Sequence, residues 1–441
     1  MDNSDQIDYM EMSLNPVIET GIKRRTDIIT AIIFLCLIFV PTVLFWAMPD
    51  KKISEDENRS LQQLPVFSFE KLMSGKYTTE MGKYYADQFP FRNTFVGAKT
   101  IFSYAFFINE NKGAVIAKDG WLIQRFDIYS EKSIAEKSAN ELGGDLTFAE
   151  NMANIKNNCN YINIFAGNIK ELFPDINLTV AVPPRKIDVM TNKLPAFFPV
   201  ERHEKYYTEL EKYINKDIYV DLLEVLRSRN DEYIYYKTDH HWTTLGAYYA
   251  YAGIYDAPSK ESFAVEIASD DFYGTTWSKA GAKWIEPDIM EYYRFSNDDK
   301  YTTVIYNASG QKSNNEKESI AYNDNRKVLI GFYDRDILKT KDKYSFFLGG
   351  INAHISIYKI QKAGNPLPKE PENLLLITDS FGLCFAPFLV WHYDNIEMLD
   401  LRFFKENVYD FIRDNNIDEI LILHCMENFS TQNNLIGLTL K

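Results

Sequence analysis

The chain holds 441 residues, of which 46% are apolar and 25% charged, and its formal net charge is −14. Those proportions fit a folded chain of two or three units at roughly 150 residues each, and they exclude collagen, coiled coil and chain-wide disorder. Four Cys exclude a disulfide-dense miniprotein, and so acidic a chain does not suit the phosphate backbone of nucleic acid, so no nucleic-acid partner is expected.

The first element in chain order is apolar. Ile28 to Met48 is 21 residues without a charge, roughly 30 Å of helix, the thickness of a bilayer core. Pro41 is tolerated in such a span, and Trp46 suits its interface. A buried core helix is the alternative. Lys23, Arg24 and Arg25 precede the span, whereas Lys51 and Lys52 follow it and give way to Glu55, Asp56 and Glu57. The positive-inside rule then puts the N-terminus in the cytoplasm and the C-terminal part outside the cell membrane. The run is longer than a signal-peptide core, and Trp46-Ala47-Met48-Pro49 lacks small residues at the cleavage spacing. Residues 1–25 are therefore read as a cytoplasmic tail and 26–49 as a single-pass transmembrane anchor in the lipid bilayer. Residues 50–115 read as a helical connector whose stretch Lys51–Arg59 is mobile, and 116–441 as the extracytoplasmic domain that carries function.

From Gly113 the pattern changes. Ala114–Ala117 and Trp121–Ile123 read as two short strands around the Asp119-Gly120 turn. Strands and helices then alternate. Helices are expected over Ala149–Phe173, Glu204–Ile214, Leu222–Arg229, Thr243–Tyr255 and from Gly382. Strands are expected at Leu178–Val182, Ile218–Val220, Leu374–Ile377, Ile396–Leu399 and Glu419–Leu423. Short buried strands between helices argue for an α/β fold, a parallel sheet flanked by helices. Residues 262–345 are less regular and rich in Lys, Asp and Asn, and read as an insertion or lid. Cys36 lies in the span. Cys159, Cys384 and Cys425 allow at most one disulfide and read as small buried apolar residues.

Two stretches carry chemistry. In Lys237-Thr238-Asp239-His240-His241-Trp242-Thr243, an extended backbone puts Asp239 and His241 on one side and His240 on the other. A helix starting near Thr243 disfavours imidazolium, and the Asp239 carboxylate restores basicity and fixes the tautomer. In Leu374–Gly382 a buried strand runs into Thr378-Asp379-Ser380 and then a helix. That turn offers a hydroxyl at the carboxyl end of a strand, where open α/β sheets bind ligands. The N–H groups at the helix start, Phe381 among them, can face an oxyanion. Ser380 is inert until a base takes its proton, and His241 is that base, with Asp239 behind it. His240 is the alternative base. Lys186, after the strand that ends at Pro183-Pro184, would line the cleft. His354, His392 and His424 read as satisfied or surface residues. No partner Cys or His pair completes a metal site with His424-Cys425.

These residues resemble a family. Thr238-Asp239-His240-His241-Trp242 with Gly246-Ala247 is similar to the signature of the bacterial DHHW proteins, related to the exported subunits of alginate O-acetyltransferase, whose domain is SGNH-hydrolase-like. The resemblance runs through Asp87-Gln88-Phe89-Pro90-Phe91-Arg92, Asp119-Gly120-Trp121-Leu122, Pro183-Pro184-Arg185-Lys186, Tyr273-Gly274, Pro287-Asp288, Phe347-Leu348-Gly349-Gly350, Thr378-Asp379-Ser380-Phe381 and Asp400-Leu401-Arg402. It implies a flavodoxin-like SGNH domain over 116–441, with the family's Asp-x-His on Asp239 and His241 and its nucleophile on Ser380. Gly349, Gly350 and Asn352 become candidates for the oxyanion site. The Ser block comes late, as in the acetyltransferases, and Thr378 stands where many SGNH enzymes have Gly. In such relatives a membrane-bound O-acyltransferase passes acyl groups across the bilayer and the SGNH-like partner moves them to sugar hydroxyls. The implied function is O-acyl, chiefly acetyl, transfer or ester cleavage on cell-surface polysaccharide, with no cofactor. Two alternatives stand beside it: a non-catalytic glycan-binding or scaffold protein of the same fold, and a metallohydrolase using Asp239, His240 and His241. DHH phosphoesterases carry further carboxylate motifs that this chain lacks.

Overall fold

The computed structural model describes residues 16–54, 56–57, 59–125, 148–196, 198, 201–295, 300–308, 322–359 and 372–441. The acidic tail 1–15 and the parts of the expected insertion at 296–299 and 309–321 lie outside them. The chain divides into two compact units, Met1–Ala98 and Lys99–Lys441.

The first unit opens with α1 (Pro16–Ala47). Among the described residues it is the one helix long and apolar enough to cross a membrane, over Arg24–Ala47. Its Phe34, Leu37 and Val43 side chains are exposed. Pro41 lies inside the helix and has no N–H to give; beside it the Thr42 hydroxyl donates to Ile38 O at 2.8 Å. In the stretch Lys51–Arg59, expected to be mobile, Lys51, Glu57 and Arg59 are instead tied down. Gln88 accepts from Lys51 N and donates to Lys51 O, both at 2.9 Å. Arg59 donates to both oxygens of Asp87 at 2.9 and 2.5 Å, and Arg92 to both of Glu57 at 2.8 and 3.1 Å. The Arg59 hydrogen bond holds the Asp87 carboxyl below its usual range. The Asp87–Arg92 block is thus the clasp of this segment.

The second unit is built on an eight-stranded sheet. Its strands are β1 (Asn177–Ala181), β2 (Tyr219–Val220), β3 (Tyr301–Ala308), β4 (Tyr322–Ile330), β5 (His354–Lys359), β6 (Asn373–Thr378), β7 (Asn395–Leu399) and β8 (Glu419–Leu423), in spatial order β4-β3-β5-β7-β6-β8-β1-β2. From β7 to β2 all pairs are parallel; β5, β3 and β4 continue the sheet antiparallel. Leu374 to Ile377 and Ile420 to Leu423 are wholly buried, as central parallel strands covered on both faces must be. The fold is therefore mixed α/β. The sheet goes beyond the parallel core expected, because β3 and β4, both within 262–345, extend it. That stretch also holds an antiparallel hairpin, Ala264–Phe272 with Asp288–Arg294, around a short helix at Thr275–Ala280.

Helices flank the sheet. In α2 (Phe148–Leu172) the buried Ile155, Ile162, Phe165 and Ile169 recur at helical spacing. α3 (Thr244–Ile254) packs on α4 (Gly382–Leu389), with Tyr251 stacked on Phe388 at 5.4 Å between centroids. α5 (Met426–Thr431) follows β8 and packs on α2. Cys159, Cys384 and Cys425 are free and buried, and burial pushes the first two thiols up to about 12.

Candidate active site

The motif stretch is a bend, not an extended strand. Tyr236 N donates to His241 O at 3.2 Å, Thr243 N to Ile234 O at 2.9 Å, and Tyr235 bridges Trp242. This closes the loop 237–241 and defeats the alternation of side chains expected there. His240 does not face away from His241: their rings lie 3.9 Å apart.

Within this bend Asp239 is buried and fully engaged. Its Oδ1 accepts from His241 N at 3.0 Å and faces His241 Nδ1 at 2.5 Å. Its Oδ2 accepts from Thr275 N at 2.7 Å and Thr275 Oγ1 at 3.0 Å. Burial works to raise this carboxyl, yet His240, His241 and the Thr275 amide hold it well below the usual range. Gly274 makes the approach possible: a Cβ there would lie 2.3 Å from Asp239 Cβ. Sequence reasoning missed Gly274 and Thr275. Tyr273-Gly274 stood out only as a motif fragment, because its partner lies 35 positions away.

Ser380 reaches the same point from the sheet. It follows β6, beside the start of α4, and its Oγ lies 2.7 Å from His241 Nε2. Asp239, His241 and Ser380, chosen from sequence, are thus brought into one hydrogen-bonded line across 139 residues. Tyr344, which the sequence did not flag, stacks on the His241 ring at 3.9 Å and 7°. Its hydroxyl donates to Ser380 O at 3.2 Å. Trp242 Nε1 donates to Phe381 O at 3.2 Å. Tyr344 thus touches both the base and the backbone of Ser380.

The turn before Ser380 is fixed by Asp379. Its Oδ1 accepts from Phe381 N at 3.0 Å; its Oδ2 accepts from Cys425 N at 2.9 Å and Asn428 Nδ2 at 2.8 Å. Burial acts to raise this carboxyl, but His424, Arg402 and these hydrogen bonds hold it down to about 2. The Phe381 amide, expected to face an oxyanion, is therefore already committed. The Ser380 amide has no acceptor among the described residues.

The other expected residues fall elsewhere. Gly349 and Gly350 adopt φ of +75° and +88°, and a Cβ at either would meet Ile305 or Ser345 at 2.4 Å. Asn352 Nδ2 donates to Gly350 O at 3.1 Å and lines a small recess with Asp379 and Asp400. Among the described residues none of the three is bonded to Asp239, His241 or Ser380. Lys186 is buried rather than lining a cleft, and its Nζ meets backbone carbonyls of the loop that carries Asp239.

His240 Nδ1 lies 2.9 Å from Thr275 Oγ1. Burial and the neighbouring His241 push it down to about 3, with Asp239 opposing, so it is neutral near pH 7. One ligand atom each from Asp239, His240 and His241 lies within 4.8 Å of the others. A cation there would break the Asp239–His241 or His241–Ser380 contact, since both ring nitrogens of His241 are engaged. The donor set fits a proton relay better than a metal.

The chain matches two family models, the DHHW protein family over residues 201–399 and the SGNH hydrolase-like domain of the acetyltransferase AlgX over residues 115–283. Comparison with curated proteins gives no match. Among solved structures it is similar to a DHHW family protein from Eubacterium siraeum, at 23% identity and a TM-score of 0.54, covering 75% of this chain and 95% of that one. It is also similar to PatB1 of Bacillus cereus, at 20% identity and a TM-score of 0.52, covering 72% and 97%. PatB1 has also been solved with a sulfonyl adduct. At these identities the structures speak for a shared fold. The resemblance to the DHHW family is therefore shown over residues 201–399, within an SGNH-hydrolase-like α/β fold.

Proposed function

We propose that this chain transfers O-acyl groups, chiefly acetyl, to or from a cell-surface polysaccharide, using Ser380 as nucleophile, His241 as base and Asp239 as its orienting carboxylate. The observation that carries the reading is the continuous line from Asp239 Oδ1 through His241 to Ser380 Oγ, at 2.5 and 2.7 Å. The family matches support the acetyl-transfer class.

In the first half-reaction Ser380 Oγ attacks the acyl carbonyl as His241 Nε2 takes its proton. The Ser380 amide faces the developing oxyanion. The leaving oxygen departs with the proton from His241 and leaves an ester on Ser380. In the second, a sugar hydroxyl gives its proton to His241 and attacks that ester; the bond from the acyl carbon to Ser380 Oγ breaks, and His241 returns the proton to Ser380. Water in its place makes the protein an esterase. Asp239 keeps the Nδ1 proton in place, so that Nε2 is the basic nitrogen. In this reading α1 anchors the chain with its N-terminus in the cytoplasm, and a membrane-bound O-acyltransferase is the partner that supplies acyl groups.

The test is the intact mass of the full-length protein in detergent after incubation with an activated acetyl ester, beside Ser380→Ala. One added acetyl group in the parent alone is the expected result. Equal acylation or ester turnover in both proteins would sink the reading. The scaffold alternative draws on the committed Phe381 amide, and no adduct and no turnover in either protein would favour it.

A further inference from the structure

The loop Tyr236–Asp239 has neither strand nor helix to satisfy its backbone; two buried charges of opposite sign take up most of it. On one side Lys186 Nζ donates to Tyr236 O at 2.9 Å, Lys237 O at 3.3 Å and Asp239 O at 2.5 Å. On the other, Asp288 accepts from Lys237 N and Thr238 N, each at 2.7 Å, from Thr238 Oγ1 at 2.5 Å and from the Tyr233 hydroxyl. Lys237 O also accepts from Leu122 N at 3.0 Å, and the remaining carbonyl, Thr238 O, accepts from Trp277 N at 2.9 Å. All four carbonyls of the loop are thereby assigned.

We propose that Lys186 and Asp288 are positioning residues that pull on this loop from opposite sides and set the height at which His241 Nε2 meets Ser380 Oγ. The proposal rests on the reading of Ser380, His241 and Asp239 given above. An ammonium carries three N–H donors around one point, which matches three converging carbonyls; a guanidinium fork does not. Lys186 is itself seated firmly. It follows Pro183-Pro184, between Arg185 and Asp188, whose side chains pair at 2.8 and 2.9 Å. A displacement of about 1 Å at a reacting pair can cost roughly 100-fold in rate.

The arrangement also titrates. Burial pushes Lys186 down to about 8, with Asp288 and Asp239 opposing. The titratable groups facing it are Asp239 and His240 of the loop and Asp288 of the hairpin, and the Trp121 ring lies 5.9 Å from its Nζ. Above that pH the amine keeps two N–H groups for three carbonyls.

The experiment uses the full-length protein in detergent and phenylmethanesulfonyl fluoride. The rate of Ser380 sulfonylation is read by intact mass from pH 6 to 10 in the parent, Lys186→Arg, Lys186→Met and Asp288→Asn, with melting curves run beside it. The parent rate is expected to fall above about pH 8. Lys186→Arg is expected to react at least 10-fold more slowly and without that fall; Lys186→Met and Asp288→Asn about 100-fold more slowly. If Lys186→Met does not fold, Lys186→Arg, which keeps the charge, decides. A Lys186→Arg protein with the parent's rate and pH profile overturns the proposal. If the parent is not sulfonylated at Ser380, the nucleophile reading fails instead. The downfield imidazole proton of the Asp239–His241 hydrogen bond then decides: a resonance moved by Lys186→Arg supports the positioning role, and an unmoved one overturns it.

Discussion

Asp379 and Glu427 stand on neighbouring turns at the carboxyl ends of β6 and β8, and their surroundings push the two carboxyls in opposite directions. Asp379 is held down to about 2. A lowered carboxyl stabilises the folded state above the unfolded value near 4, by about 2 kcal/mol here, and that stability is lost as pH falls toward 2. For Glu427, burial raises the carboxyl to about 8, with Asp379 and Asp239 adding to the rise and Lys279 and Arg185 opposing it. The sign is then reversed. Below about pH 4 both states are protonated and there is no penalty. Between about 4 and 8 the unfolded chain ionises while the folded one does not, so stability falls with rising pH and levels off above 8. Glu427→Gln removes the titration. Its melting temperature should exceed the parent's at pH 8, and the gain should vanish at pH 4. A gain of equal size at both pH values would show that packing, not ionisation, separates the two proteins.

The start of α3 shows how an element is seated by its neighbours. Thr243 caps it, accepting from Gly246 N at 3.2 Å while donating to Tyr233 O at 2.8 Å. Ala is favoured over Gly inside a helix by about 1 kcal/mol. At Gly246, however, a Cβ would lie 2.2 Å from Ile234 O and 3.0 Å from Trp242 Cβ. A backbone carbonyl cannot swing aside as a side chain can, and overpacking of this kind costs roughly 1–3 kcal/mol. The clash should win: Gly246→Ala should lower the free energy of unfolding by about 1–2 kcal/mol in a urea titration, and an unchanged or raised midpoint would show that Ile234 has room to give. The same contrast explains what the sequence could reveal. β6 and β8 were legible because Leu374–Ile377 and Glu419–Leu423 are nearly unbroken apolar runs of strand length. α3 was legible from its Thr cap and apolar run. β3 and β4 were not, because antiparallel strands at the end of a sheet tolerate the Lys, Asn and Asp that mark loops. In the site, Asp239, His241 and Ser380 could be chosen from residue type and local setting. The hold of Gly274, Thr275, Asp288 and Tyr344 on them could not, since each reaches the site from a distant part of the chain. The committed amide of Phe381 is hidden for a related reason: in the sequence its acceptor, Asp379, is only one residue of a turn.

At the scale of the molecule, the Ser380 turn sits at the carboxyl end of β6, beside β7 and β8, where parallel strands leave room for a ligand. The second unit thus carries the whole hydrogen-bonded line, and α1 takes no part in it. Thirteen Ile, Leu, Phe and Val side chains lie between Ile28 and Phe45. At roughly 0.3–0.6 kcal/mol each near a bilayer centre they favour insertion by about 5 kcal/mol, from which Pro41 subtracts part. If α1 is the anchor, the full-length chain should stay with membranes through an alkaline carbonate wash, and a chain lacking residues 1–49 should not. The shortened chain should still be sulfonylated at Ser380 at the parent's rate. The proposed orientation rests on the three basic residues before the span. In sealed vesicles with the outer face exposed, added protease should therefore digest the second unit and spare an epitope fused to Met1. Release of the full-length chain by carbonate would remove the anchor from the reading. Protection of the second unit would reverse its orientation and separate the site from any polysaccharide at the cell surface.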